Sequence, residues 1–512
     1  MIDILRIPDY IKVTCDSDKN DASVRFVIGE GMKVFVSCSD SGVKYVDLRW
    51  KFDTETPVSV MSDSWERLYN DAEWGALDSE RHLPWYFIAK DGEDNFTGCG
   101  VRVLPNSFAC FSYDASGVTC RLDVRCGGMG VKIDGELQAA EILCRSYTDI
   151  GAYEACREFC NLMSPNPVLP EKPVYGSNNW YYAYGKSTYN EIMNDARLLA
   201  SLTEGLENRP FMVIDDGWMI NSCAGPWIPN DKYGDMKKIA DEFKALGVRP
   251  GIWIRPLHDI QAEKEHPEWL INRADCRFLD PTVPEVKRKI AGDVSRIYTW
   301  GYELIKHDFS TFDLFGRFGF EMNSLVTKEA SWAFYDRSKT SAQVVKELYN
   351  LIRCNAENAV IIGCNTLGHL CAGIFELNRT GDDTSGERWA RTRKYGVNSL
   401  AFRMCQNKTF YMCDADCVGI LDKNIPWSLN RQWLDLLAKS GTPLFVSVQP
   451  ESMTDEIRED LKNAFKIASK QADETFPVDF EFNKHPRIWS INGKTVKYDF
   501  YMSDGWDVQT ER

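Results

Sequence analysis

The sequence predicts an α/β architecture: a (β/α)₈ TIM barrel with an N-terminal antiparallel β-sandwich and a short C-terminal β-module. Three observations predict it. Residues 1–165 alternate short apolar runs with Gly, Asp, Ser and Asn. Residues 173–473 alternate buried-looking strands with amphipathic helical stretches, and residues 474–512 return to strand-like alternation. At 512 residues the chain is too long for one ordinary domain, so two or three are expected.

In the first stretch the strand candidates are Ser23–Ile28, Met32–Cys38, Val43–Phe52, Tyr86–Lys90, Gly98–Leu104, Ser107–Tyr113 and Val118–Val124. A helical pattern over Asp149–Leu162 follows, and the Pro-rich segment SPNPVLPEKPVYG then reads as a boundary. From Tyr175 the rhythm changes. Strand candidates are Val174–Tyr182, Phe211–Ile214, Val248–Ile254, Tyr302–Lys306, Val360–Cys364, Gly373–Leu377, Val397–Phe402 and Pro443–Val448. Helical patterns lie between them over Thr188–Leu202, Met236–Leu246, Pro284–Thr299, Thr340–Glu357, Ser385–Lys394 and Thr454–Gln471. About eight β/α units over about 275 residues match a TIM barrel in number and size. An open doubly wound sheet would carry a Gly-rich phosphate turn, which this sequence lacks. In the last stretch the pair Asn492-Gly493 marks a hairpin.

Composition narrows the function classes. The net charge of −15 argues against a nucleic-acid partner, whose phosphates demand a basic face. No stretch approaches the roughly 20 apolar residues of a membrane span. The start, MIDILRIPDYIKV, lacks the basic head and apolar run of a secretory signal. The 17 cysteines are odd in number and scattered, the pattern of reduced thiols, so a cytoplasmic location is expected. Aromatic residues make up 12%, with 16 Trp, which fits sugar-binding platforms and a large barrel core about equally.

Catalytic groups of a TIM barrel gather where its strands end. The predicted second strand ends in VIDDGW, the third in GIWIRP and the fourth in LIKHDFSTFD. The fifth ends in IIGCNTLGH and the sixth in FELNRTGDDTSG. Many carboxylates therefore converge on one mouth. Glycoside hydrolysis needs two of them, one ionised at the anomeric carbon and one holding a proton for the leaving oxygen. Lys306 lies two residues before Asp308 on a strand and points to the same face, which suits Asp308 as the ionised group. Asp383 sits beside Asp382, where a second carboxylate would raise its pKa, which suits the proton donor.

These motifs resemble the melibiase-type α-galactosidases of glycoside hydrolase clan D, family 36 more than family 27. The resemblance rests on the paired aspartates of IDDGW, the Lys-x-Asp of IKHDF, the GIW turn, the Gly-Cys at the fifth strand and the Arg-x-x-x-Asp of RTGDD. They stand in family order across about residues 173–450. The resemblance implies Asp308 as nucleophile and Asp383 as acid/base. It implies Asp215 and Asp216 on the axial O4 and the O6 of galactose, Lys306 and Arg379 on ring hydroxyls, and Trp180 and Trp253 as pocket walls. A tryptophan from the N-terminal sandwich often completes the pocket in this family, and Trp65 or Trp74 in SDSWERLYNDAEW is the candidate. The family uses no cofactor or metal and is often oligomeric, so a homo-oligomer is compatible with it. The segment GCNTLGH departs from the family, which more often carries a small residue after the Cys. Asn365 and His369 therefore bear on contacts around O2 or the aglycone, and Cys364 and Asn365 are expected among the substrate-binding residues.

Plainer readings stand beside these. Asp382 competes as the acid or caps the helix after it, and Asp313 reads as structural. The segment DADC, Asp414 to Cys417, either lines the mouth or caps a helix. Cys364, His369 and Cys371 lack the second ligand pair of a zinc site. The expected reaction is retaining hydrolysis of α-D-galactosides. The alternatives are a same-clan enzyme for β-L-arabinopyranosides or α-N-acetylgalactosaminides, a transglycosylase, or a non-catalytic sugar-binding protein.

Overall fold

The computed structural model describes residues 2–501 apart from Glu55, Thr56, Asp275, Glu329, Ala330, Lys423, Asn424 and Asp473. The N-terminal strands form two antiparallel sheets, one of five strands and one of seven. They face one another through Phe87 on Tyr86–Lys90, whose ring lies 5.7 Å from Phe111 and 5.9 Å from Tyr113 on Phe108–Asp114. Inward residues alternate with outward ones, as in Met32–Ser37, where Met32, Val34 and Val36 are buried. The seven predicted strands are present, with ends shifted by up to three residues. Five others were not predicted: Tyr10–Cys15, the short Ser59–Ser62, Gly75–Ala76 and Leu83–Pro84, and Leu137–Tyr147, which pairs with Met32–Ser37 on one side and Phe96–Val101 on the other. The helix Ala152–Met163 lies on that sheet, and Gly98 makes room for it. A Cβ there would stand 2.4 Å from the Phe159 ring.

The central sheet has nine strands, and every neighbouring pair in it is parallel. In chain order they are Tyr175–Asn178, Phe211–Ile214, Arg249–Ile254, Leu304–His307, Val360–Gly363, Leu377–Arg379, Met412–Asp414, Cys417–Ile420 and Leu444–Val448. The first pairs with the second on one side and with Leu444–Val448 on the other. The outermost strands are Met412–Asp414, paired with Leu377–Arg379, and Cys417–Ile420, paired with Leu444–Val448. Only Ala415 and Asp416 separate these two edges in the chain, so the sheet must curl to bring them together. Side chains from seven of these strands, among them Val213, Ile362, Leu377, Met412 and Phe445, share one apolar cluster against which Trp180 packs.

Several expectations are corrected. Val397–Phe402 is not a strand. Arg393–Asn398 is π-helical and Ser399–Arg403 α-helical. A short apolar run does not reveal by period whether it is a buried strand or a buried helix. Here Gly396 meets the Trp433 ring, and the Asn398 side chain holds Ala72 through both its N–H and C=O. The strand expected over Gly373–Leu377 begins only at Leu377, because Gly373 turns the chain at φ 79°. Val174–Tyr182 yields strand only over Tyr175–Asn178, and Trp180–Ala183 is a helical turn. The helix Trp427–Ser440 was not predicted.

Predicted helices gain their starts from local chemistry. The Thr188 N–H is met by Glu191, and Thr340 accepts from the Gln343 N–H. Near the C-terminus, Thr475–Pro477, Ile488–Ile491 and Lys494–Lys497 form an antiparallel sheet, with Asn492 and Gly493 at φ 50° and 71° in the hairpin. Residues 502–512 of the expected β-module lie outside the described residues. All 17 cysteines are free thiols. Among the described residues no helix is long and apolar enough to cross a membrane.

Candidate active site

Polar groups gather where the parallel strands end, and each pair is fixed by neighbouring strands. Lys306, on the fourth strand, donates to Asp215 Oδ2 at 2.7 Å, and Asn178 Nδ2 donates to the same oxygen at 2.6 Å. Asn179 Oδ1 accepts from the Asp215 N–H at 2.8 Å. Burial alone would lower the Lys306 pKa, but the Asp215 carboxylate beside it holds the ammonium well above its ordinary value. Asp216 is oriented by a hairpin tip that folds back over the strand end, accepting from the Cys223 N–H at 2.8 Å. Burial raises its carboxyl above the usual range.

Asp308 follows the fourth strand. Its Oδ2 accepts from Trp253 Nε1 at 3.0 Å and its Oδ1 from the Phe309 N–H at 2.8 Å. Trp253 is opposite Lys306 in the strand register, so one rung of the sheet sets both Asp308's indole partner and the ammonium beneath it. Phe309 takes the left-handed conformation at φ 62°, a turn that a phenylalanine seldom adopts.

Arg379, at the end of the sixth strand, is the hub of the next group. It donates to Asp383 Oδ1 at 3.0 Å and pairs with Asp416 Oδ2 at 2.5 Å, and its Nη1 reaches Cys364 Sγ at 3.5 Å. Tyr181 donates its hydroxyl to Asp416. Asp416 also accepts from the Thr384 N–H at 2.9 Å, so it fixes the chain immediately after Asp383.

A loop from the N-terminal sheets closes this group. Arg67 lies 3.4 Å from Asp383, 3.5 Å from Asp382 and 3.7 Å from Cys364 Sγ. Glu66 accepts from Asn365 Nδ2 at 2.8 Å and from Tyr69 at 2.5 Å, while Leu68 exchanges backbone bonds with Thr380 and Asp382. Arg403 ties the loop down through Asp63 at 2.6 Å and the Glu66 carbonyl at 2.6 Å. Gly381, beside the loop, makes room for the Arg393–Asn398 helical segment. A Cβ there would stand 2.1 Å from the Tyr395 carbonyl oxygen.

The electrostatics of Asp383 reverse the expected cause. Burial raises its carboxyl, but Arg379, Arg67, Lys306 and Arg391 outweigh it and bring the pKa down to about 2. Asp382 is itself paired with Arg67 and Arg391 at 3.5 and 3.1 Å. Asp382 therefore pairs with arginines rather than capping the next helix.

The structure brings together Asp215, Asp216, Lys306, Asp308, Trp253, Cys364, Arg379 and Asp383. Trp180 stands at the edge of this group, packed on the apolar cluster below. Trp65 does not enter it. Its ring is 1% exposed, packs on Phe108 and His369, and its Nε1 donates to the Asn323 carbonyl. Trp74 packs on Phe96 and Phe480. The residues between them, Glu66, Arg67 and Tyr69, are the ones that reach the site. The signal was present in SDSWERLYNDAEW, whose charged residues interrupt a strand-rich stretch. Asn365 holds Glu66, and His369 lies stacked on Trp85 in the aromatic core. Asp313 is buried against Arg255 at 2.6 Å. Of the DADC segment, Asp416 belongs to the site.

With this geometry in view, the solved structures decide the fold comparison. An α-galactosidase from Thermus thermophilus, TtGalA, solved with p-nitrophenyl α-D-galactopyranoside, is similar at a TM-score of 0.65 and 15% identity, over 94% of this chain and 100% of that one. The chain has the fold of the GH36 α-galactosidases. The GH36 α-galactosidase AgaA from Geobacillus stearothermophilus is similar at a TM-score of 0.60 and 15% identity, over 87% of this chain and 67% of that one. The galactosidase domain of the α-galactosidase–sucrose kinase AgaSK is similar at 0.58 and 14%, over 94% and 75%. No family model matches the chain, and no curated protein matches it by sequence.

Proposed function

We propose that this chain is a retaining glycoside hydrolase that removes terminal α-D-galactosyl residues. Asp308 is the nucleophile and Asp383 the acid/base. The observation that carries the reading is the set of paired groups Asp215–Lys306, Asp308–Trp253 and Arg379–Asp383, gathered at the strand ends of a fold shared with α-galactosidases along nearly the whole chain. The reading takes the nine-stranded sheet as a closed (β/α)₈ barrel whose seventh strand is broken at Ala415 and Asp416. The barrel spans residues 173–473, between a β-sandwich over 1–165 and a β-module over 474–512.

Asp308 keeps one oxygen on the Trp253 N–H and the other on a backbone N–H, bonds that stabilise the anion and aim it. It attacks the anomeric carbon as Asp383 gives a proton to the departing oxygen. Asp383 then takes a proton from water in the second step. With Asp383 held ionised at about 2, substrate must change its surroundings before it carries that proton. Arg67 makes the longer of its two arginine contacts, 3.4 Å against 3.0 Å for Arg379, so it is the one that yields. Asp215, with Lys306, and Asp216 supply acceptors for galactose hydroxyls, and Trp180 gives an apolar wall.

The test is turnover of p-nitrophenyl α-D-galactopyranoside by the wild type, Asp308→Ala and Asp383→Ala. An active wild type, a dead Asp308→Ala, and azide rescue of Asp383→Ala giving α-galactosyl azide uphold the sugar, both roles and retention. A wild type that ignores this substrate but cleaves a β-L-arabinopyranoside or an α-N-acetylgalactosaminide overturns the galactose assignment.

A further inference from the structure

We propose that the leaving-group side of this site takes an anionic aglycone, one bearing a carboxylate, sulfate or phosphate. This rests on the galactosidase reading above. A cleft of about 1090 Å³ has Asp383, Tyr181 and Tyr184 in its wall, so it opens from the carboxyl group that would meet the leaving oxygen. Beyond Asp383 the wall is cationic. Arg388, Arg391, Arg393, Lys394 and Lys484 line it together with His485, against the carboxylates Asp71, Asp383 and Glu387. The chain as a whole carries −15, so a wall with more cations than carboxylates is a local inversion of its charge.

Ion pairs at the rim temper this field without filling the cleft. Arg391 reaches Asp382 at 3.1 Å and Lys484 reaches Glu73 at 2.7 Å, which holds both heads in place. One further group points to a polar occupant. Ser385, two residues after Asp383 and 7% exposed, has a buried hydroxyl with no hydrogen-bond partner among the described residues. Burying such a donor unpaired is unfavourable, and Ser385 lines the same cleft, where an oxyanion would accept from it. His485 is held at 3.6 Å by Asp71. A neutral sugar needs no such wall.

Melibionate and melibiitol carry the same α-galactosyl bond and differ in a carboxylate against a hydroxymethyl on the aglycone. The wild type is expected to show a kcat/KM for melibionate about fivefold above that for melibiitol at low ionic strength, falling toward parity as salt is added. The variant Lys394→Gln/Lys484→Gln brings that ratio near one at low salt. Equal or poorer use of melibionate, alongside normal turnover of p-nitrophenyl α-D-galactopyranoside, overturns the proposal and leaves the galactosidase reading intact. If none of the three is cleaved, the galactosidase reading falls, and calorimetry with the two disaccharides then decides the cleft. Salt-sensitive preference for melibionate upholds an anion site, and equal binding overturns it.

Discussion

Arg67 bridges Asp382 and Asp383 at 3.5 and 3.4 Å, from a loop 316 residues away from Asp383 in the chain. The same guanidinium faces Asp308 and Cys364 electrostatically, so one N-terminal side chain acts on both proposed catalytic carboxylates. The N-terminal sheets therefore place a charged side chain in the candidate site.

Replacing Arg67 should retune Asp383. Arg67 is one of the cations that hold its carboxyl at about 2, so Arg67→Gln moves that pKa upward. A proton donor with a higher pKa stays protonated to higher pH. In the free enzyme the Asp383 carboxyl, followed by NMR titration at acid pH, should therefore titrate about one unit higher. An unchanged titration would mean that Arg67 does not hold the Asp383 proton off.

The Lys306–Asp215 pair predicts a stability effect. Both side chains are nearly buried, at 12% and 3% exposure, and removing one leaves the other charge unpaired. Lys306→Met should cost about 3–5 kcal/mol in urea denaturation, and adding Asp215→Asn should restore part of it. No recovery in the double variant would show that the loss lies in packing instead.

Asn365 predicts a coupling between the loop and the rate. Its Nδ2 bond to Glu66 at 2.8 Å helps set the loop that carries Arg67. Asn365→Ala should lower kcat/KM about tenfold or more and speed hydrogen exchange over residues 63–69. Faster exchange with an unchanged rate would separate the loop from the chemistry.

Two buried histidines, His307 and His369, and the half-buried His258 lower the acid stability. Burial lowers His369 to about 3 and His258 and His307 to about 4, with Lys346 pressing His369 and Arg255 pressing His258 further down. Unfolded histidines protonate near 6.5. Between that value and the folded pKa values the unfolded chain binds more protons, so stability falls as pH drops below about 6.5. His369→Phe, among the rings of Trp85, Trp65 and Phe108, should flatten the slope by up to about 1.4 kcal/mol per pH unit. Denaturant midpoints across pH 4–7 check it.

Much of this was legible in the chain. Alternation at period two marked the sandwich strands, and apolar runs between amphipathic helices marked the parallel sheet, because both patterns follow from which faces must be buried. The order of IDDGW, IKHDF and RTGDD located Asp215, Lys306, Asp308, Arg379 and Asp383, because strand ends place short motifs at one mouth. The run Val397–Phe402 misled, since an apolar stretch that short is compatible with helix as well as strand.

What tertiary structure alone decided was partnership across long separations. Sequence named a tryptophan, Trp65 or Trp74, as the N-terminal contribution, but the fold buries Trp65, packs the half-buried Trp74 on Phe96 and Phe480, and turns Arg67 into the site. Sequence placed Asp382 beside Asp383 as a repelling charge, but two arginines pair with it and draw the Asp383 pKa down. Local periodicity records what each residue must bury. The charge that acts on a carboxylate depends on every group within a few ångströms, and only the folded chain brings those groups together.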